Sequence, residues 1–166
     1  MPIHDNPIRL AEELAMIDVI SGGRLIAGMV RGTGVETIAT NGNPVNNRAR
    51  FEECHDLVIK TWTTPGPFRW ESDHYNFRVV NPWMVPVQKP HPPLWQVVDS
   101  PSSIEWAAKN DISIIMWIPP VQSLKKRFEI YKNAKSEKEN RHVELGEGIS
   151  VVRDMFVADS MEEAKE

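Results

Sequence analysis

Arg31 and Gly32 follow directly on an apolar run, Leu25–Val30, and Gly34 stands two residues further on. A guanidinium fork matches the oxygens of a phosphate, and glycines let backbone N–H groups approach the same anion. The competing chemistry is an ion pair between Arg31 and a carboxylate. A second apolar run, Leu94–Val98, ends in Asp99 and Ser100, with Ser102 and Ser103 just beyond. Serines at a helix start cap it, and a helix N-terminus is itself an anion site, so the two roles are compatible. A third run, "ISIIMW", ends in Met116 and Trp117, for which plain core packing is the competing role. The five histidines are scattered and no H-x-x-E or C-x-x-C pairing exists, so a metal site is not expected. Cys54 recurs with Phe51, Val58 and Trp62 at helical spacing, which reads as packing rather than a nucleophile. His91, among prolines, reads as structural.

These residues are spread over 166 residues carrying 19 Lys plus Arg and 23 Asp plus Glu, a net charge of -4. Interspersed signs leave no basic footprint for nucleic acid. No run approaches the roughly 18 apolar residues of a membrane span, so no membrane partner is expected. "MPIHDNPIRL" lacks the apolar stretch of a signal peptide. With one cysteine no internal disulfide can form, which favours a cytoplasmic location.

The elements that must position these residues alternate. Asn6-Pro7 is a cap followed by a helix-starting proline, and Leu10, Leu14 and Ile17 form the apolar stripe of that helix, with Ala11 and Ala15 beside it. Asp18 is expected to limit that face, and Gly22-Gly23 to end the helix. Arg24–Val30 reads as a strand covered on both faces. Residues 33–44 read as a loop, and about 46–62 as a second helix. Phe68-Arg69-Trp70 and Tyr75-Asn76-Phe77 flank a polar "ESDH" turn, a short hairpin.

Strands are expected at Leu94–Val98, Ile112–Trp117 and Ile149–Val157. Helices are expected after each, capped by Ser102 or Ser103, by Ser123, and by Ser160 with Glu163 at capping-box spacing. In the Ser123 helix Leu124, Phe128 and Tyr131 face inward and the outer face is lysine-rich.

Strand–helix alternation implies a parallel sheet, in a (β/α)8 barrel or an open doubly wound fold, with ligands at the carboxyl ends of the strands. No G-x-G-x-x-G opens a helix, which argues against a dinucleotide site. A complete barrel takes about 250 residues. The expectation is therefore one incomplete domain over 1–166, with an ordered proline- and aromatic-rich excursion at 64–93 before the strand at 94–98.

"HDNPIRLAEELAMIDVISGGRLIAGMVRG" resembles the luciferase-like flavin monooxygenases through Pro7, Ala11-Glu12, Asp18, Ser21, Gly23-Arg24 and Gly28–Gly32. Arg50-Phe51-Glu52-Glu53 with Trp62, "PVQKPHPPLWQVVDSPSSIEWAAKN" and "VADSMEEAKE" resemble later parts of the family pattern in the same order. The resemblance covers nearly the whole chain. It implies part of a (β/α)8 TIM barrel with parallel strands, from about the exit of strand 3 to the start of helix 7.

It also implies a flavin-dependent oxidoreductase, a monooxygenase using reduced FMN and molecular oxygen on a small organic substrate. A flavin reductase would be a partner, and the full-length protein a homo- or heterodimer. By resemblance, Arg31 and Gly32 match the flavin phosphate loop, and Ser100 and Ser103 match hydroxyl positions holding that phosphate. Asp99 falls where relatives carry a glutamate near the flavin, and Met116 and Trp117 end the strand beside its ring. Val30 stands where some members carry a reactive cysteine.

The family's catalytic histidine falls upstream of Met1, so no general base is assigned, His4 reads as incidental, and the chain by itself is expected to be inactive. Two alternatives stand beside this reading: a relative using the deazaflavin F420 for hydride transfer, and a noncatalytic flavin-binding or subunit-interface module. Flavin absorbance with reductase-dependent oxygen uptake separates them.

Overall fold

The computed structural model describes residues 6–165, and His4 lies outside them. The chain divides into two compact units, residues 1–94 and 95–166.

The first unit opens with helix α1, Pro7–Ser21. Asn6 caps it by accepting the Ile8 and Arg9 N–H groups, each at 3.1 Å. Left-handed Gly22 ends it. The expected stripe is rotated: Pro7, Ala11, Ala15 and Asp18 are buried, while Ile17 is exposed. Small residues bring α1 close to helix α3, Asn47–Thr63, which supplies the bulk through Leu57, Val58 and Trp62. The Trp62 indole donates to the Ala11 carbonyl at 2.9 Å across this interface.

Asp18 is thus not the edge of the apolar face but part of the buried one. Its carboxylate accepts the Gln88 backbone N–H at 3.0 Å and the Gln88 side-chain amide at 2.7 Å. The same amide donates to the Leu25 carbonyl at 2.8 Å. One glutamine therefore straps the proline-rich stretch to α1 and to the chain leaving it.

Strand β1 is Ala27–Met29, shorter than expected. It is covered on one face only: Ala27 and Met29 are buried, Ile26 and Val30 exposed. Ala27 donates to the Pro93 carbonyl at 2.9 Å. Residues 33–44 are not simply a loop. They form a short helix α2, Gly34–Ala39, and lead into a 3-10 turn at Pro44–Asn46. The hairpin is present as β2, Phe68–Glu71, and β3, Asn76–Val80, paired antiparallel with Trp70 opposite Phe77. Lys60 of α3 lies over the Phe68 and Trp70 rings at 5.0 and 5.4 Å.

The second unit is built around parallel strands β4, Leu94–Val97, β5, Ser113–Trp117, and β6, Ile149–Val152. Helix α4, Pro101–Lys109, joins the first two, and α5, Val121–Glu139, the last two. Gln96 pairs with Ile114, and Trp117 with Val152. One sheet face, with Ile112, Ile114 and Met116, is closed, in a core that includes Ile104, Ala107, Ala108 and Tyr131. The other face presents Val97 and Trp117 to solvent.

The caps differ from expectation. Ser100 caps α4, with Pro101 in the first helical position, and α5 follows Pro120 without a side-chain cap. Beyond Val152 the expected strand does not continue, and the Ser160 helix is a 3-10 turn, Glu163–Lys165. Ser160 Oγ still accepts the Glu163 N–H at 3.1 Å.

Tyr131 ties α5 to the sheet. Its hydroxyl donates to the Ile112 carbonyl at 3.0 Å, and burial pushes its pKa up to about 12. Its ring also closes over Gly148, whose φ is +72°; a Cβ there would lie 2.9 Å from the Tyr131 oxygen. Tyr131→Phe removes only the hydroxyl and is expected to cost about 1–2 kcal/mol. Urea unfolding measures this, with the midpoint falling at constant slope.

Candidate functional site

The β4–α4 turn gathers the densest group of predicted residues. Ser100 Oγ accepts the Ser103 N–H at 3.3 Å, as a cap does, and donates to Ser103 Oγ at 2.9 Å. Ser102 Oγ lies 3.2 Å from Ser100 Oγ. Three hydroxyls thus cluster at the N-terminus of a nine-residue helix. Hydroxyl hydrogens rotate freely, so the cluster can turn donors toward an incoming oxyanion. The helix end contributes partial positive charge.

Asp99, just before the cap, is paired. Arg127 of α5 donates from Nη1 to Asp99 Oδ1 at 2.7 Å. Arg127 is not among the residues singled out from the sequence. Its signal would have been a lone arginine between inward-facing Leu124 and Tyr131.

Met116 and Trp117 part company. Successive strand residues point to opposite faces. Met116 is 0% exposed in the unit core, whereas Trp117 is 68% exposed on the open face. Met116 therefore cannot lie against a ligand on that face. It packs, and Trp117 alone offers a flat aromatic surface at the end of β5.

In the first unit, Arg31 is half-buried and makes no hydrogen bond or ion pair among the described residues. The glycine cradle beside it is taken up differently. Gly32 is left-handed with φ +80°, and Glu36 Oε2 lies 3.2 Å from where its Cβ would stand. That carboxylate accepts the Thr33 N–H at 2.6 Å. An acid of the chain itself occupies the position where backbone donors were expected to meet an anion, because Glu36 completes the N-terminus of α2. Of the groups expected to meet an anion at this loop, the Arg31 guanidinium is the one left without a partner among the described residues.

Cys54 and His91 pack rather than present reactive atoms. Cys54 is fully buried, and burial pushes its thiol up to about 12, far from a thiolate at neutral pH. His91 Nδ1 lies 2.8 Å from the Pro92 carbonyl, its ring 6.0 Å from that of Trp62. Among the described residues no group of three or more His, Cys, Asp or Glu could hold a metal, and no helix is long and apolar enough to cross a membrane.

The model of the luciferase-like monooxygenase family matches residues 1–166. The oxygenase component of the flavin-dependent trigonelline monooxygenase of Acinetobacter baylyi is 29% identical over 96% of this chain and 44% of its own length. The crystal structure of monooxygenase RslO1 from Streptomyces bottropensis overlays 99% of this chain and 50% of its own, with a TM-score of 0.85 and 28% identity. The oxygenating constituent of 3,6-diketocamphane monooxygenase from Pseudomonas putida, solved with FMN, shares the fold: TM-score 0.83, 20% identity, 99% of this chain and 48% of its own. The chain spans half or less of the length of each of these relatives.

Proposed function

Because the chain belongs to the luciferase-like monooxygenase family, we propose that it forms the flavin-holding part of a monooxygenase using reduced FMN and molecular oxygen on a small organic substrate. The observation that carries this reading is the serine cluster at the start of α4, with the exposed Trp117 indole on the adjacent strand. Hydroxyl donors at a helix N-terminus suit a phosphate monoester. An exposed indole suits a flat heteroaromatic ring. The residues present therefore fit FMN.

In this reading Ser100 and Ser103 donate to the flavin phosphate, with Asp99 and Gly32 shaping the backbone around their respective loops. Trp117 covers one side of the ring and keeps water from it. Arg31 supplies a cation to the flavin. The cofactor supplies the oxygen chemistry, and the chain binds and orients it. A relative described as an oxygenase component supports a separate reductase as the source of reduced FMN. Two-chain assembly, as a homo- or heterodimer, belongs to the same proposal.

The test is oxygen uptake by the protein carrying this chain at its full natural length, supplied with FMN and a flavin reductase. Uptake that needs both supports the reading. Hydride exchange with a deazaflavin and no oxygen uptake overturns it in favour of the F420 alternative. Arg31→Ala is expected to weaken FMN binding by about 1.5–3 kcal/mol, the worth of a charge-assisted hydrogen bond. Fluorescence titration measures it, and unchanged affinity removes Arg31 from the site.

A further inference from the structure

Two charges 28 residues apart in sequence meet at the carboxyl end of β4. The Asp99 side chain is 88% exposed and that of Arg127 only 19%. The guanidinium is packed and held, while the carboxylate stands in water. Helix side chains lean toward the N-terminus, so Arg127 reaches back along α5 toward the end of the sheet where α5 begins.

Asp99 is a poor neighbour for an anion. It directly precedes the three-serine turn, and an ionised carboxylate there repels any phosphate that the hydroxyls and the helix end attract. Arg127 cancels that charge. It also has five N–H donors, of which the described contacts give one to Asp99.

The geometry points to Arg127 as a charge-compensating residue of the β4–α4 turn. It neutralises Asp99 and keeps the turn able to hold a phosphate dianion. This rests on the flavin-phosphate reading above. Arg127 acts through Asp99 and the local field, as a positioning residue rather than a catalytic one.

The experiment compares FMN with riboflavin, which differ by the phosphate alone. Dissociation constants are measured by flavin fluorescence quenching in the full natural-length protein and in R127M, R127K, D99N and the R127M/D99N double variant. R127M is expected to weaken FMN at least tenfold and riboflavin less than twofold. R127K should fall between R127M and wild type. Adding D99N to R127M should recover at least half of the loss on a logarithmic scale, because the uncompensated carboxylate is gone.

Equal losses for the two flavins in R127M, or no recovery in the double variant, overturn the inference. If R127M does not fold, D99N alone decides: FMN binding equal to or tighter than wild type supports compensation, and weaker FMN binding with riboflavin unchanged overturns it. Wild-type protein that binds both flavins equally overturns the phosphate reading itself. FMN preference kept intact in R127M overturns only the role of Arg127.

Discussion

Asp18→Ala lowers the unfolding free energy by about 3–5 kcal/mol, as much as truncating a large core side chain. The carboxylate is fully buried and accepts two hydrogen bonds from Gln88. Hydrogen bonds to a charged group contribute about 1.5–3 kcal/mol each, and truncation leaves both donors without that acceptor. Gln88 keeps only its bond to the Leu25 carbonyl, so the strap loosens at α1. Equilibrium denaturation checks the magnitude, and amide exchange at Gln88 checks the place. A loss under about 1 kcal/mol would show that water replaces the carboxylate without difficulty.

The same group sets a pH dependence. Burial pushes the Asp18 carboxyl up, but hydrogen bonds from Gln88, Val87 and Leu25 together outweigh it and hold the group below its ordinary range. A carboxyl lowered on folding contributes stability that is complete above its unfolded value, near pH 4, and is lost as pH falls through the folded value. Asp18→Asn should therefore flatten the acid limb of the stability profile. An unchanged limb would assign acid sensitivity to other carboxylates.

Glu53→Ala comes second, at about 2–4 kcal/mol. From α3 this carboxylate accepts the Tyr75 N–H at 2.8 Å, the His74 N–H at 3.0 Å and the Ser72 hydroxyl, with the Trp70 indole at 3.4 Å. It ties the turn of the β2–β3 hairpin to α3, while bonds from the Ser72 N–H to the Tyr75 carbonyl and from the Asn76 amide to the Ser72 carbonyl close the turn on itself. The site is half-buried, so water offsets part of the loss and the effect stays below the sum of the bonds. Glu53→Gln keeps the size but faces donors with an amide NH2, and should fall between the two. Amide exchange at His74 and Tyr75 is the measurement. Protection unchanged in Glu53→Ala would mean that strand pairing alone holds the turn.

Local signals carried much of this fold into the sequence. Asn6-Pro7, the "ESDH" turn and the apolar runs at β4 and β5 each lie within a few residues of the structure they cause. Ser100-Pro101 repeats the logic of Asn6-Pro7, a cap and then a proline, but neighbouring serines offered competing caps and the helix start was expected at Ser102 or Ser103. Asp18 was not legible, because its partner Gln88 is 70 residues away and a lone carboxylate in a helix scores as solvent-facing. Arg127 was hidden for the same reason, with Asp99 as its distant partner. Strand periodicity alone separates Met116 from Trp117, since neighbours in a strand cannot share a face. The Glu36 contact at Gly32 needed the fold of α2, which six residues of weak helical pattern do not announce.

Gly148 and Tyr131 impose an order on the history of this sequence. A Cβ at position 148 would meet the Tyr131 oxygen at 2.9 Å and its ring carbons at 3.3 and 3.4 Å. Losing the hydroxyl removes the 2.9 Å contact and leaves ring carbons at 3.3 and 3.4 Å, which a small shift of the ring relieves, so phenylalanine at 131 gives more room than tyrosine. The left-handed backbone at 148 sets a second gate, which asparagine passes more easily than other side chains. Replacing glycine here is easier once position 131 has lost its hydroxyl or become smaller, and then by a narrow set of side chains. Reversion is conditional in the same way: a side chain at 148 crowds the return of a tyrosine hydroxyl at 131. The two codons are coupled through one van der Waals contact, and their substitutions should be ordered in descent, with the change at 131 preceding the change at 148.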